Sequence, residues 1–597
     1  MINTNLSEIF RSPTELTRDQ LSFAEATTKS LQKWGNTLSM MQLGDTSKHL
    51  LTAVIELSEL KCSETLRFDL IQTLHPFMEN ILKSLEVHFF NQNLISPDRN
   101  EYLIELALSF RCYFTNIYLD IARRSHHQLN HQKFSLFALS QKKNLKTARL
   151  LASYYALQQL AKLLYQQQML YSAPLPHQWL IAHQVYDITL KHDEQFTDIN
   201  QIQGTQYTVS NVNQAYTQLL LLDIFTPHQI RPSEIQALYQ CSFDWAKMIQ
   251  VLPRETTLAK YIVDVSKDYP PVYNKKQLVG FEPTFFISTQ NLLEHINATF
   301  HKNMEYLSKN ETVYLTSAIK FHVQNVLGST VERQYERYEY SAQIQLCFSL
   351  TTAHFYLSNG KNFQETLQLS NHFKFQSESK NTQSNFSNEN KIINENNDVS
   401  SSALLEREAK HVYTAQVLDI SINGYRIRWD KITPSYLRTG EFILINESTQ
   451  KRWRGGVVRW IKQNEEKTLD VGLEIIAYDI YPCAVKTQTD KNSFHYHPAF
   501  LVQNQNLDDL KTSLILPSLQ LFKEQQSVHL RVGNEDIKVY LLKTLSITQS
   551  FVQFDYELLN DQQQPMIDDF INFHANELNT HDLWDALKKK TPYFLKN

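Results

Sequence analysis

The chain has 597 residues, with 58 Lys and Arg against 62 Asp and Glu. The net charge of −4 excludes a uniformly basic nucleic-acid binder, though not a local basic pocket, and roughly 100–200 residues per domain predicts about three to five domains. Only 12 residues are glycine, about 2% against an average near 7%, so much of the chain is expected to be helical. Cys62, Cys112, Cys241, Cys347 and Cys483 are widely spaced and include no CxxC pair, which suits reduced thiols in the cytosol. Met1–Ser7 lacks the basic start and apolar stretch of a signal peptide. The apolar run Leu219–Leu222 is cut by Asp223, far short of the ~20 residues a membrane span needs. A cytoplasmic protein with no membrane insertion is expected.

From the start to about residue 250 apolar residues recur at helical spacing. Leu66, Leu70, Leu74, Phe77, Ile81 and Leu85 fall on one face, as do Leu103, Leu106, Phe110, Phe114, Ile117 and Ile121. Ser63-Glu64 reads as a helix start, and Ser233–Gln236 has capping-box spacing. No period of about 34 or 40 residues repeats, so a helical domain over 1–250 is expected rather than a repeat array. His126, His127 and His131 have no carboxylate or cysteine at ligand spacing, and the pair His495/His497 has no obvious third ligand. No metal site is expected. The chain also lacks GxSxG, Walker, HExxH and dinucleotide-binding patterns, so no catalytic residues and no enzyme activity are expected.

Residues 251–330 read as a small mixed α/β connecting element, with strands at Tyr261–Val265 and Thr284–Ile287 and helices at Leu292–Phe300 and Thr316–Val326. After Gly328 the apolar period becomes two. Gln343–Phe348 alternates as a strand and Ala353–Leu357 continues in extended style. Ser377–Ser402 has almost no apolar residues, cannot offset its ordering entropy, and is expected to be a disordered insertion. Limited proteolysis should cut there first, a test that peptide mapping of the first fragments settles. Strands resume at Val412–Ile420, Tyr425–Trp429, Glu441–Ile445, Gly455–Ile461 and Asp470–Ile476, a spacing that suggests a small barrel or sandwich. Residues 491–597 form a further β-rich unit with strands at Thr512–Leu516, Val528–Val532, Ile537–Leu542 and Phe551–Tyr556. Whether that unit extends the first barrel or closes a second is open at this point. Phe570–Leu578 and His581–Lys590 read as terminal helices.

Four short patterns stand in order along the β-rich half. Arg333-Gln-Tyr-Glu-Arg337 gives RxxxR, Asp419-Ile-Ser421-Ile-Asn-Gly424 gives DxSxxG, and Gly456-Val-Val-Arg-Trp460 and Val471-Gly-Leu-Glu474 follow. Together they resemble the PilZ domain family, bacterial receptors for cyclic di-GMP, over about residues 331–486. The resemblance implies a PilZ-like antiparallel β-barrel at 331–490 in a multidomain α+β chain. It also implies cyclic di-GMP as a bound ligand with no cofactor, clamped by Arg333 and Arg337 and seated against Asp419, Ser421 and Gly424. Arginine forks match phosphate oxygens and the guanine O6/N7 edge bidentately, which lysine cannot do. Asp419 can accept from guanine N–H donors and Ser421 can donate to a phosphate. Gly424 would supply a positive φ or a close backbone approach. Arg426, Arg428 and Arg459 on the barrel are the next candidates. The separation of 82 positions from Arg337 to Asp419 exceeds the family's usual one and implies an extra strand or an elaborated first hairpin. Ligand binding would alter a contact with an unidentified protein partner through the helical domain, without DNA or RNA. The family suggests motility, surface attachment or type IV pili as the setting. The alternative is a ligand-independent adaptor with a degenerate PilZ fold.

Overall fold

The computed structural model describes residues 6–10, 13–38, 42–90, 101–135, 138–274, 280–300, 307–328, 337–367, 411–421, 423–447, 453–464, 466–487, 496–503 and 512–575. Arg333, the expected insertion 377–402, His495 and the segment beyond Ala575 lie outside them. The chain divides into two compact units, one of residues 1–227 and 232–331, the other of 228–231 and 332–597.

Among the described residues, the first unit opens with nine α-helices: α1 (Thr28–Leu38), α2 (Leu43–Glu59), α3 (Glu64–Phe89), α4 (Glu101–His131), α5 (Leu139–Met169), α6 (Gln178–Leu190), α7 (Ile199–Gln203), α8 (Val212–Ile224) and α9 (Pro232–Trp245). The predicted stripes bury their faces, with Leu70, Leu74, Phe110, Phe114 and Ile121 fully enclosed. Ser63 caps α3, its hydroxyl accepting from the Leu66 amide at 3.3 Å. Helix α9 begins at Pro232, so Ser233 lies within its first turn rather than at its cap. Between α3, α4 and α5, Glu79 accepts from Arg111 at 2.6 Å and Lys162 at 2.8 Å, and Arg111 also donates to Gln159 at 2.9 Å. Burial opposes charge on Glu79, yet Arg111, His75 and Lys162 hold its carboxyl far below the usual range.

A four-stranded antiparallel sheet follows, of β1 (Gln250–Leu252), β2 (Ala259–Val263), β3 (Val272–Tyr273) and β4 (Phe285–Ser288), in the order β1-β4-β2-β3. Three helices complete the unit: α10 (Gln290–Thr299), α11 (Lys309–Tyr314) and α12 (Ser317–Gly328). Glu311 completes a capping box with Ser308 and accepts from Trp245 Nε1 at 2.7 Å and His295 Nε2 at 2.5 Å. Burial pushes this carboxyl up, but these donors outweigh it and set it at about 2. A depressed carboxyl stabilises the fold above its unfolded pKa, and that stability is lost as pH falls toward the folded value. Glu311→Gln should therefore cost about 3 kcal/mol at pH 7, with the difference from the parent shrinking between about pH 4.5 and 2. Urea titrations across that range measure it.

The second unit holds two barrels. The first is closed by β5 (Tyr338–Phe348), β6 (Tyr413–Ser421), β7 (Gly424–Trp429), β8 (Phe442–Glu447), β9 (Arg454–Gln463) and β10 (Leu469–Ala477), in the order β10-β7-β6-β5-β8-β9. Between β5 and β6 the structure has α13 (Leu350–Leu357) and α14 (Phe363–Thr366), not the extended segment expected at Ala353–Leu357. Ser349 caps α13 by accepting from the Thr352 amide at 3.3 Å, while Leu350 and Ala353 turn into an apolar cluster. The second barrel comprises β11 (Asp479–Thr487), β12 (His497–Gln503), β13 (Thr512–Pro517), β14 (Gln526–Val532), β15 (Glu535–Ile547) and β16 (Phe551–Leu558), in the order β11-β12-β13-β16-β15-β14. It begins at Asp479, before the 490/491 division expected from sequence, and it is closed in its own right. Helix α15 (Gln564–Ala575) packs Ile567 and Ile571 into its core cluster.

The barrels meet through a shared apolar cluster that includes Phe442, Leu444 and Val457 from the first and Phe500, Ile515 and Phe551 from the second. Phe442 stacks on Phe500 with centroids 5.2 Å apart, and His354 of α13 bonds the Cys483 carbonyl at 3.1 Å. Arg231, in the short segment 228–231 of the same unit, donates to Glu441 at 3.2 Å, and Ser550 donates to the other oxygen of Glu441 at 2.7 Å.

Candidate ligand site

Strand register builds a continuous row on the outer face of the first barrel. Asp419 of β6 stands opposite Glu339 of β5 and Arg426 of β7; Arg426 stands opposite Gly472 of β10, and Gly472 opposite Trp460 of β9. Side chains opposite one another in antiparallel strands share a face, and the alternate residues Ile427, Val471 and Leu473 are buried.

Arg337 immediately precedes β5, and pairing of β5 with β6 brings it to Asp419 despite a separation of 82 positions. Its Nη1 donates to Asp419 Oδ1 at 2.7 Å. Asp419 Oδ2 accepts from Arg426 at 3.4 Å, and Arg426 Nη2 donates to Asp470 Oδ2 at 2.5 Å. Asp470 also accepts from Arg428 Nε at 3.4 Å, and Arg459 pairs with Glu474. The hydrogen bond to Asp470, followed by the charges of Asp470 and Asp419, raises the Arg426 pKa above its ordinary value. Side chains of Arg337, Arg426 and Arg459 are 36%, 39% and 42% exposed, whereas those of Asp419 and Asp470 are 14% and 9% exposed. The guanidinium groups therefore form the outer layer, each steadied by a carboxylate beneath or beside it. Among the described residues, buried Arg426 Nε has no hydrogen-bond partner.

At the β6–β7 hairpin, Ser421 pairs with Gly424, and its hydroxyl donates to the Gly424 carbonyl at 3.4 Å. Gly424 does not adopt a positive φ; a Cβ there would lie 2.0 Å from the Leu473 carbonyl oxygen. Of the two reasons for a glycine here, the structure selects close backbone approach. Gly472 has a related role, since a Cβ would lie 1.9 Å from Trp460 Nε1, so its absence lets the indole rest on the strand.

Arg337, Asp419, Ser421 and Gly424 thus lie along one hairpin and the strand beside it, while Arg333 lies outside the described residues. Sequence reasoning did not assign Asp470, Gly472, Trp460 or Glu474 to this face. The available signal was the alternation in Asp470-Val-Gly-Leu-Glu474, whose even-numbered residues share the outer face while Val471 and Leu473 are buried.

Comparison with known proteins divides the chain in the same order. Residues 29–255 match the family model for the N-terminal domain of the cyclic-di-GMP receptor FimW. Residues 260–405 and 374–482 match its middle PilZ domain, and 483–559 its C-terminal β-barrel domain. The cyclic-di-GMP receptor FimW of Pseudomonas aeruginosa is 24% identical over 622 aligned positions, covering 97% of this chain and 98% of that protein. No solved structure matches the chain. Among the described residues, no helix is long and apolar enough to cross a membrane. With its helical region, PilZ barrel and second barrel each matched in turn, the chain belongs to the PilZ-domain proteins of the FimW family.

Proposed function

We propose that this protein is a cytoplasmic cyclic di-GMP receptor without catalytic activity, its ligand held on the outer face of the first barrel. Arg333 and Arg337 form the clamp, and Asp419, Ser421 and Gly424 form the barrel side of the site. The observation that carries this reading is the 2.7 Å contact of Arg337 with Asp419, which unites the two motif halves on one face. One guanidinium nitrogen of Arg337 donates to the Asp419 carboxylate; bound ligand would offer phosphate or guanine acceptors to the same guanidinium. Arg426 and Arg459 stand along the same row as further donors. Ligand bound at Arg337 would change the contacts that the helical region offers to a protein partner, in motility, attachment or type IV pilus control. Cyclic di-GMP at one hundred times its Kd should stabilise the unit containing the barrel by about 2.7 kcal/mol, while cyclic di-AMP should give little shift. Scanning calorimetry on the full chain reads both. The pairing of each of Arg337, Arg426, Arg428 and Arg459 with a carboxylate is what favours the alternative, an adaptor that needs no ligand. Equal, absent shifts with both nucleotides would select it.

A further inference from the structure

The second barrel carries a cationic row that the reading above does not use. Strands β14 and β11 are paired, as are β14 and β15, and their register sets Lys486 opposite His529 and His529 opposite Lys538. All three point away from the core, because their chain neighbours Val485, Val528, Leu530, Ile537 and Val539 belong to the buried interior cluster. Adjacent strands lie about 4.8 Å apart, so the three groups span ~10 Å of surface. Like charges directly opposite one another destabilise a sheet, so a charged His529 between these two lysines would be a local conflict that folding alone does not favour.

The acid available to relieve it is already engaged. Asp536 accepts from Arg531 Nη1 at 3.2 Å, from Lys486 Nζ at 3.3 Å and from the Tyr496 hydroxyl at 2.7 Å. Lys486 also donates to the Tyr496 hydroxyl at 2.7 Å, its ammonium 4.6 Å from that ring's centroid. Among the described residues, Lys538 makes no ion pair and the His529 ring makes no hydrogen bond. Burial, followed by the charge of Lys486, holds the His529 ring toward its neutral form; Asp536 opposes this and Lys538 adds to it.

We propose that the Lys486–His529–Lys538 row, with Arg531 at its flank, is a binding site for a short polyphosphate chain, distinct from the first-barrel site. The spacing favours such a ligand over an acidic peptide. An extended peptide repeats its same-face carboxylates about 6.8 Å apart, wider than the ~4.8 Å strand repeat, whereas contiguous phosphates can bridge neighbouring cations. The inference does not rest on cyclic di-GMP binding.

Inorganic tripolyphosphate titrated calorimetrically into the full chain, without divalent metal, tests it, with ATP as a second arm. Tripolyphosphate should bind saturably, and ATP should bind at least as well if the natural source is a nucleotide. The double variant His529→Gln/Lys538→Gln should weaken binding at least tenfold while its melting temperature without ligand stays close to that of the parent, since both side chains face outward and, among the described residues, Lys538 makes no ion pair and the His529 ring no hydrogen bond. Arg337→Ala should leave this binding unchanged. Absence of saturable binding at millimolar tripolyphosphate, or equal binding by the double variant, would overturn the proposal. A hepta-glutamate peptide binding where tripolyphosphate does not would also overturn it and assign the row to a protein partner.

Discussion

Arg337→Ala and Asp419→Ala should each weaken cyclic di-GMP binding roughly tenfold to a hundredfold or more. Charge-assisted hydrogen bonds contribute about 1.5–3 kcal/mol each, and each variant removes at least one of them. The two residues touch, so their effects should be non-additive, with the double variant losing less than the summed singles. Arg337→Lys should recover little, because a point charge cannot replace a planar fork on guanine or phosphate. Neither change should lower the melting temperature much: the pair is at the surface, where such ion pairs are worth about 0–1 kcal/mol. Calorimetric titration of the four variants, with thermal unfolding alongside, measures both quantities. If Arg337→Ala binds normally, the clamp is made by other arginines of the row.

Gly424→Ala should be far more damaging to the fold than Gly472→Ala. At Gly424 the added Cβ would meet the Leu473 carbonyl oxygen at 2.0 Å and the Leu473 carbonyl carbon at 3.0 Å, both backbone atoms of a paired strand. Relief requires β7 and β10 to part, at a cost of about 3 kcal/mol. At Gly472 the obstacle is the half-buried Trp460 indole, which can rotate aside for about 1 kcal/mol. Urea unfolding of both variants compares them, and equal stability would mean that the hairpin can shift at no cost. Gly424→Ala should also lose ligand affinity, since Ser421 and Asp419 lie on β6, the hairpin partner of β7.

Elements with an unbroken period were legible in the sequence. The stripes of α3 and α4 are long enough for 3.6-residue spacing to dominate, and β7 alternates between buried and half-exposed residues from Tyr425 to Trp429. Helix α13 was misread because Thr351, Thr352, Phe355 and Tyr356 favour strands by composition. Its true signal was Leu350, Ala353 and Leu357 at helical spacing behind the Ser349 cap. Strands β11 and β12 escaped notice for another reason: each packs both faces in places, Ala484 against α14 and its following loop while Cys483 and Val485 fill the barrel, so alternation is blurred. At the site, DxSxxG was visible as a short contiguous pattern, although what demands its glycine is the Leu473 carbonyl of the distant β10. The closeness of Arg337 to Asp419 was not, because it depends on β5 pairing with a strand that resumes only at Tyr413.

The most direct test of the central claim is an isothermal titration of the full, unmodified chain with cyclic di-GMP. The account predicts saturable binding at or below tens of micromolar, released heat that falls to background in Asp419→Ala, and no comparable binding of cyclic di-AMP. Absence of binding by the parent chain at tens of micromolar ligand would contradict it, and the outer face of the first barrel would then be a surface for protein contact alone.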